Sequence, residues 1–345
     1  MKEHYEVTIG IPVCRSVDYI QDTMNSALNQ SFTDIEFLIV DDCGNDGTMD
    51  VIAYLQTSHP RGKDIRIMVN EKNKGVSYSR NRIIDEARGR FLYFMDSDDT
   101  IEPNTIQLLY DAIIQNHVQV AYGSYEIIDR IGNSPIEKYQ KDALVLKGKD
   151  ELAMYAFRYN RIFHVSVCNH LISIQFLRQS NVRFIDASYW EDMVYTTELV
   201  TKTESAVLLP DITYHYFRHP NSLSHYQGRS VYVKSEILQN ASIIKRLKDN
   251  CLTLRGKPYL PYLCYNLEMN SFYMSCFIMR NRGRINPKVT NRELQGFLWH
   301  PISLIDIMGF KNRRFYNILF KCLGLLPAPF FFLSLYILGK LKHAL

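Results

Sequence analysis

The chain has 345 residues, 46% hydrophobic and 22% charged, which is the composition of a globular protein with room for two domains or for one large domain and an extension. Its formal charge of +4 belongs to the end of the chain. Lys311, Arg313, Arg314, Lys321, Lys340 and Lys342 follow Asp306 with no acid among them; removing these six from the 40 basic residues leaves 34 against 36 acids, so a nucleic-acid partner for the whole chain has little support.

The first ~120 residues alternate strand and helix patterns. Val7–Cys14, Ile35–Asp42, Ile65–Val69 and Arg90–Asp96 read as strands, apolar almost throughout. Between them Ile20, Met24, Ala27 and Leu28, then Val51, Ile52 and Leu55, repeat at helical spacing, and Val76–Arg88 forms a third helical segment. Apolar strands joined by helical crossovers predict a mostly parallel sheet buried on both faces, with ligands outside the carboxyl ends of its strands. Two strands end in acids at that edge: Asp41-Asp42, and Asp96-Ser97-Asp98-Asp99 in "RFLYFMDSDDT". From about 121 to 225 the pattern is less regular and aromatic-rich, residues 230–282 read as helical, and there is no internal repeat.

No glycine-rich phosphate loop of either common kind is present, and "CRSVDY" follows the first strand instead. Closely spaced carboxylates at a strand end suit Mg2+ or Mn2+, which bridge to phosphate oxygens. The same acids also suit a solvated turn capping the helix that begins near Pro103.

Taken together, "IPVC", "IVDDCGNDGT", "NKGVSYSRNRIIDEARGRFLYFMDSDD" and "WEDMVY" resemble the glycosyltransferase family 2 pattern over about residues 5–225. The resemblance implies a GT-A fold: α/β, Rossmann-like, a mostly parallel central sheet with flanking helices, here with a helical C-terminal extension. It divides the chain into a nucleotide-sugar half (1–120), an acceptor half (121–225), a helical extension (226–305) and an apolar, basic tail (306–345). It implies an inverting transfer from a nucleoside-diphosphate sugar, a UDP-sugar first, by a hexosyl- or N-acetylhexosaminyltransferase with a divalent metal (Mn2+ or Mg2+). The acceptor it implies is a glycan or lipid-linked oligosaccharide in surface polysaccharide synthesis.

By the same resemblance Pro12, Asp41, Asp42, Gly75, Arg80 and Asp96 bind the nucleotide sugar, with Arg80 pairing with a phosphate or with the Asp41-Asp42 loop. Asp98, with Asp96 and His215, holds the metal. Asp192 is the catalytic base, with Glu191 beside it for the acceptor, and Asp99 and Arg218 are further candidates. His219 is an alternative to Arg218 for reaching the diphosphate. His170 stands where many relatives have lysine, which puts in doubt the acceptor contact credited to that position. An E-D pair at the start of a helix also suits the macrodipole alone.

The seven cysteines are scattered, without C-x-x-C spacing, and read as reduced cytosolic thiols. Charges in "MKEHYEVTIG", where a secretory signal needs an apolar core, predict no export. The uncharged stretch Cys322–Gly339 is interrupted by Pro327 and Pro329. It predicts an interfacial anchor, peripheral on the inner membrane face, over a spanning helix or a helix packed on the enzyme. An oligomer is compatible with this reading. A nucleotidyltransferase and a non-catalytic sugar-nucleotide-binding scaffold are the alternatives. The first lacks its usual basic, glycine-rich first loop.

Overall fold

A computed structural model describes residues 2–132, 134–159, 167–187, 190–219 and 229–345. The chain divides into two units, Met1–Leu152 with Arg161–His225, and Ala153–Asn160 with Tyr226–Leu345.

The first unit opens with β1 (Tyr5–Val13), α1 (Ile20–Leu28), β2 (Ile35–Asp41), α2 (Thr48–Ser58), β3 (Ile65–Val69), α3 (Val76–Glu86) and β4 (Gly89–Phe94). The four strands and the third helix match the expected ones to within one or two residues at each end, and the first two helices contain the expected apolar stripes. β1 pairs in parallel with β2 and β4, and β2 in parallel with β3, so that the ends of β1, β2 and β4 lie side by side. Val7, Ile9, Ile11, Phe37, Ile39 and Tyr93 are fully or almost fully buried. Each such side chain contributes about 1.5–3 kcal/mol relative to exposure.

The sheet continues through β5 (Thr100–Ile101), α4 (Thr105–Asn116), β6 (Val120–Asp129), β7 (Ser134–Tyr139), β8 (Leu144–Lys147), α5 (Glu151–Arg158), β9 (His170–Ser173), α6 (Ile174–Gln179), α7 (Glu191–Lys202) and β10 (Ser205–Arg218). The described strands of the first unit form one 10-stranded sheet in the order β3-β2-β1-β4-β9-β6-β10-β5, with β7 on β6 and β8 on β10. β9 is antiparallel to both β4 and β6 and joins the two parallel regions. Along β6 the neighbour on one side changes: Tyr122 faces His170 of β9, while Tyr125 faces Tyr139 of β7.

The second unit is mainly helical, with β11 (Tyr232–Val233), α8 (Lys234–Asn250), α9 (Leu260–Arg280), β12 (Ile285–Asn286), α10 (Asn291–Phe297), α11 (Leu304–Met308), α12 (Arg314–Leu325) and α13 (Ala328–Leu341). The uncharged tail is therefore two helices broken at Leu326-Pro327, because proline cannot continue the α12 hydrogen-bond ladder. No helix among the described residues is long and apolar enough to cross a membrane. Phe320, Leu323, Phe331 and Leu335 pack with Phe272 and Cys276 of α9. Lys248 and Glu268 form a fully buried ion pair at 2.9 Å, and the Lys248 ammonium also donates to the carbonyls of Phe297 and Trp299.

Candidate active site

The acids at the strand ends divide by what holds them. Asp42 Oδ1 accepts hydrogen bonds from Asn70 Nδ2 (2.7 Å) and Lys74 N (2.8 Å), and Oδ2 from Gly75 N (2.8 Å). Asp42 is buried and ties the end of β2 to the loop leading into α3. Gly75, at φ +85°, takes a conformation that a side chain would strain. Asp41 is less buried, and among the described residues its Oδ1 accepts only the Cys43 amide. Pro12 lies inside β1, in register with Val40, one step short of the loop it was expected to begin.

The second acidic group divides in the same way. Asp99 is buried; its Oδ2 accepts the Tyr214 hydroxyl (2.6 Å) and its Oδ1 the Phe217 amide (2.8 Å). Burial, then Asp98 and Asp96, raise its pKa well above the usual carboxylate range. Asp99 therefore fastens the end of β10 to the β4 turn. Asp98 Oδ2 lies 2.9 Å from His219 Nε2. Burial and Asp96 raise the Asp98 pKa, and His219 opposes them. Asp96 keeps its side chain about one-third open and gives Oδ1 to Arg80.

Arg80 differs most from expectation. Neither free for a phosphate nor turned to the Asp41-Asp42 loop, its guanidinium bridges Asp96 Oδ1 and Glu191 Oε1, both at 2.8 Å, over the Phe184 ring. Successive residues of α3 point about 100° apart, and the next two use that spread. Asn81 exchanges hydrogen bonds with the Phe184 backbone, and Arg82 reaches Val69 O and Asn70 Oδ1.

α7 begins at Glu191, after Trp190 at φ +62°, an uncommon conformation for a bulky residue. Glu191 is committed to Arg80, so the acceptor contact expected of it is replaced by an internal ion pair. Asp192 next to it is half-buried. Burial first, then Glu191, push its pKa up to about 7, with Arg80 opposing. A carboxylate held near neutral pH is suited to accept a proton.

His215 is not brought to the metal-candidate acids. Its Nε2 bonds Glu102 (2.9 Å) and its Nδ1 lies 3.1 Å from Glu126, because alternation along β10 turns it away from the side that Tyr214 gives to Asp99. The histidine beside Asp98 is His219, four residues on. Arg218 ends β10, and its carbonyl accepts from the Arg130 amide. His170 is buried against the Tyr122 and Tyr195 rings, and desolvation pushes its pKa down to about 4.

Sequence reasoning missed Arg130, whose guanidinium stacks on Tyr19 and Phe217 and bonds Asp98 O (2.9 Å) and Asp22. No local signal marks it, since its partners come from three other parts of the chain.

Among the described residues no three of His, Cys, Asp and Glu converge as a metal cage. Mg2+ and Mn2+ need none when a diphosphate and water complete their shell. Asp98 and Asp96 each retain one oxygen outside the pairings above, so the donor set fits a cation that these two acids would share with a diphosphate.

The profile of "Glycosyl transferase family 2" matches residues 8–179, from β1 through α6. The chain belongs to glycosyltransferase family 2. Membership in this family of glycosyltransferases sets aside the nucleotidyltransferase and scaffold alternatives. The chain is 24% identical over 259 residues to the uncharacterized glycosyltransferase YibD of Escherichia coli strain K12, covering 72% of this chain and 73% of that one. It is 32% identical over 137 residues to the Escherichia coli UDP-Glc:alpha-D-GlcNAc-diphosphoundecaprenol beta-1,3-glucosyltransferase WfgD, covering 40% of this chain and 51% of that one. The fold of this family 2 chain is shared by residues 1–349 of S. aureus TarS, solved in complex with UDP-GlcNAc, at a TM-score of 0.63 and 17% identity, over 92% of this chain and 89% of that one.

Proposed function

We propose that this chain is a metal-dependent, inverting glycosyltransferase that moves a hexosyl or N-acetylhexosaminyl group from a UDP-sugar to a glycan acceptor, lipid-linked, in surface polysaccharide synthesis. The observation that carries the reading is one ion-paired path, Asp96 to Arg80 to Glu191, that joins the strand-end acids to the helix bearing Asp192. Asp41 meets the nucleoside, and Asp42 and Gly75 fix the loop beneath it. Asp98, with His219 beside it, holds the cation. A bound Mn2+ or Mg2+ supplies positive charge to the departing diphosphate. Asp192 takes the proton of the attacking hydroxyl on the face of the sugar opposite the leaving group, so one displacement inverts the anomeric centre. UDP-GlcNAc in the TarS structure and UDP-Glc in the name of WfgD support a UDP-sugar donor.

The test incubates the chain with UDP-GlcNAc and UDP-Glc, with Mn2+ or with chelator, and reads UDP release and product configuration by NMR. Turnover in Mn2+, lost in chelator and with Asp98→Asn, and an inverted product are expected. A retained configuration, or equal turnover in chelator, would sink the mechanism.

The tail supports attachment to an anionic membrane face on the cytoplasmic side. Phe330, Leu333, Tyr336, Ile337 and Leu341 of α13 are exposed, and Lys340 and Lys342 flank them. Replacing Phe330, Leu333 and Ile337 by Ser should release the protein from vesicles containing phosphatidylglycerol in a sedimentation assay. Unchanged co-sedimentation would rule the anchor out.

A further inference from the structure

Lys141 follows β7 and is 8% exposed. Its amide donates to Ser124 Oγ (2.8 Å) on β6. That places it where the neighbour of β6 changes, between the Tyr122–His170 pair and the Tyr125–Tyr139 pair. Its Nζ lies 5.6 Å from the centre of the Tyr125 ring, which is stacked on Tyr139 at 4.8 Å. The contrast with Lys138, three residues earlier, is direct: Lys138 is exposed and pairs with Glu126 at 3.1 Å. Lys141 Nζ makes no hydrogen bond or ion pair with any described residue, and the segments outside the described residues contain no Asp or Glu. Among the described residues the ammonium of this buried lysine therefore has no anionic partner of its own. A buried charge is retained against its desolvation cost only with a partner. Desolvation alone lowers its pKa, to about 8, with no nearby acid to raise it.

Its position points to the acceptor. Lys141 is close enough to His170 to oppose protonation of that ring, and His170 stacks on Tyr195, one helical turn after Asp192 on α7. The donor-side acids already have partners: Asp96 pairs with Arg80, and Asp98 lies beside His219.

We propose that Lys141 is a specificity residue that binds an anionic oxygen group, carboxylate or phosphate, on the acceptor glycan, beside the stacked Tyr125 and Tyr139 rings. The proposal rests on the acceptor reading above. An acidic acceptor supplies the missing counter-charge, and a neutral one leaves the ammonium desolvated and unpaired.

The test measures thermal unfolding of the full chain with UDP and Mn2+ present to fill the donor side, at fixed ionic strength. The probes are D-glucuronate, glucose 1-phosphate and glucose. A saturable rise in Tm with at least one anion and none with glucose is expected, weakened at least tenfold in apparent affinity in Lys141→Met and kept in Lys141→Arg. A response to glucuronate alone assigns a uronic acid, and one to glucose 1-phosphate alone assigns a sugar phosphate; a response to both supports the shared chemistry. Anions that do no better than glucose, or that act equally on Lys141→Met, would overturn the proposal. UDP-sugar hydrolysis by the wild type, run in parallel, separates the two readings: hydrolysis without anion binding fails the Lys141 proposal alone, and absence of hydrolysis fails the donor reading.

Discussion

Asp192 is the proposed base, and its protonation state would gate the proposed transfer. Its pKa, pushed up to about 7 by burial and by Glu191, predicts a rate that rises with pH through about 7 and then levels. The stability effect has the opposite sign. The folded pKa lies above the unfolded value of about 3.9, so the native state holds a proton that the unfolded chain releases between these values. Stability from this group is complete below about pH 4 and is lost as pH rises through about 7. Asp192→Asn should lower the transfer rate by about 10^2–10^4-fold, with Tm at pH 8 unchanged or higher. A flat pH–rate profile across neutrality would remove Asp192 from the base role. The acid cluster of the fourth strand was legible because an apolar run ending in charge needs only local pattern. The separate duties of Asp98 and Asp99 were not, since their partners His219, Tyr214 and Phe217 lie more than 100 residues away.

At the scale of elements, Arg80 links α3, the turn after β4 and the start of α7. Arg80→Met leaves Asp96 and Glu191 facing each other without a cation. Breaking a buried pair costs about 3–5 kcal/mol, and the open side of Asp96 places this case at the lower end. Arg80 also holds the Asp192 pKa down. The acid limb of the pH–rate profile should therefore move to higher pH in Arg80→Met, which a purely structural arginine would not cause. Helix α3 itself was readable from the sequence to within two residues. Its hydrogen-bonded partners were not, because Glu191 and Phe184 come from a region whose strand pattern is irregular.

At the scale of the whole molecule, the two units rely on different cores. The first is a sheet of β-branched and aromatic side chains whose period announces itself in the sequence. The second contains an ion pair that no pattern reveals. Burial pushes the Glu268 pKa up to about 7 and lowers that of Lys248, yet each is the other's principal compensation. Lys248→Met should destabilise the protein by about 3–5 kcal/mol at pH 8, read by urea unfolding, and by less at pH 5, where Glu268 left alone is protonated. An equal loss at both pH values would show that the carbonyls of Phe297 and Trp299 matter more than the charge. The tail reads differently at the two levels. As sequence it is a single uncharged stretch, and as structure it is parts of two helices with apolar side chains both packed on α9 and open.

The inward turn of Asp42 and Asp99 changes the electrostatic landscape that an incoming nucleotide meets. Counted along the chain, Asp41, Asp42, Asp96, Asp98 and Asp99 would set a strongly negative field against a diphosphate. Asp42 is enclosed by amide donors, and burial favours the neutral form of Asp99. Asp96 is matched by Arg80, and His219 faces Asp98. The repulsion at the candidate site is therefore weaker than five carboxylates imply, and the proposed divalent ion would have less of it to overcome.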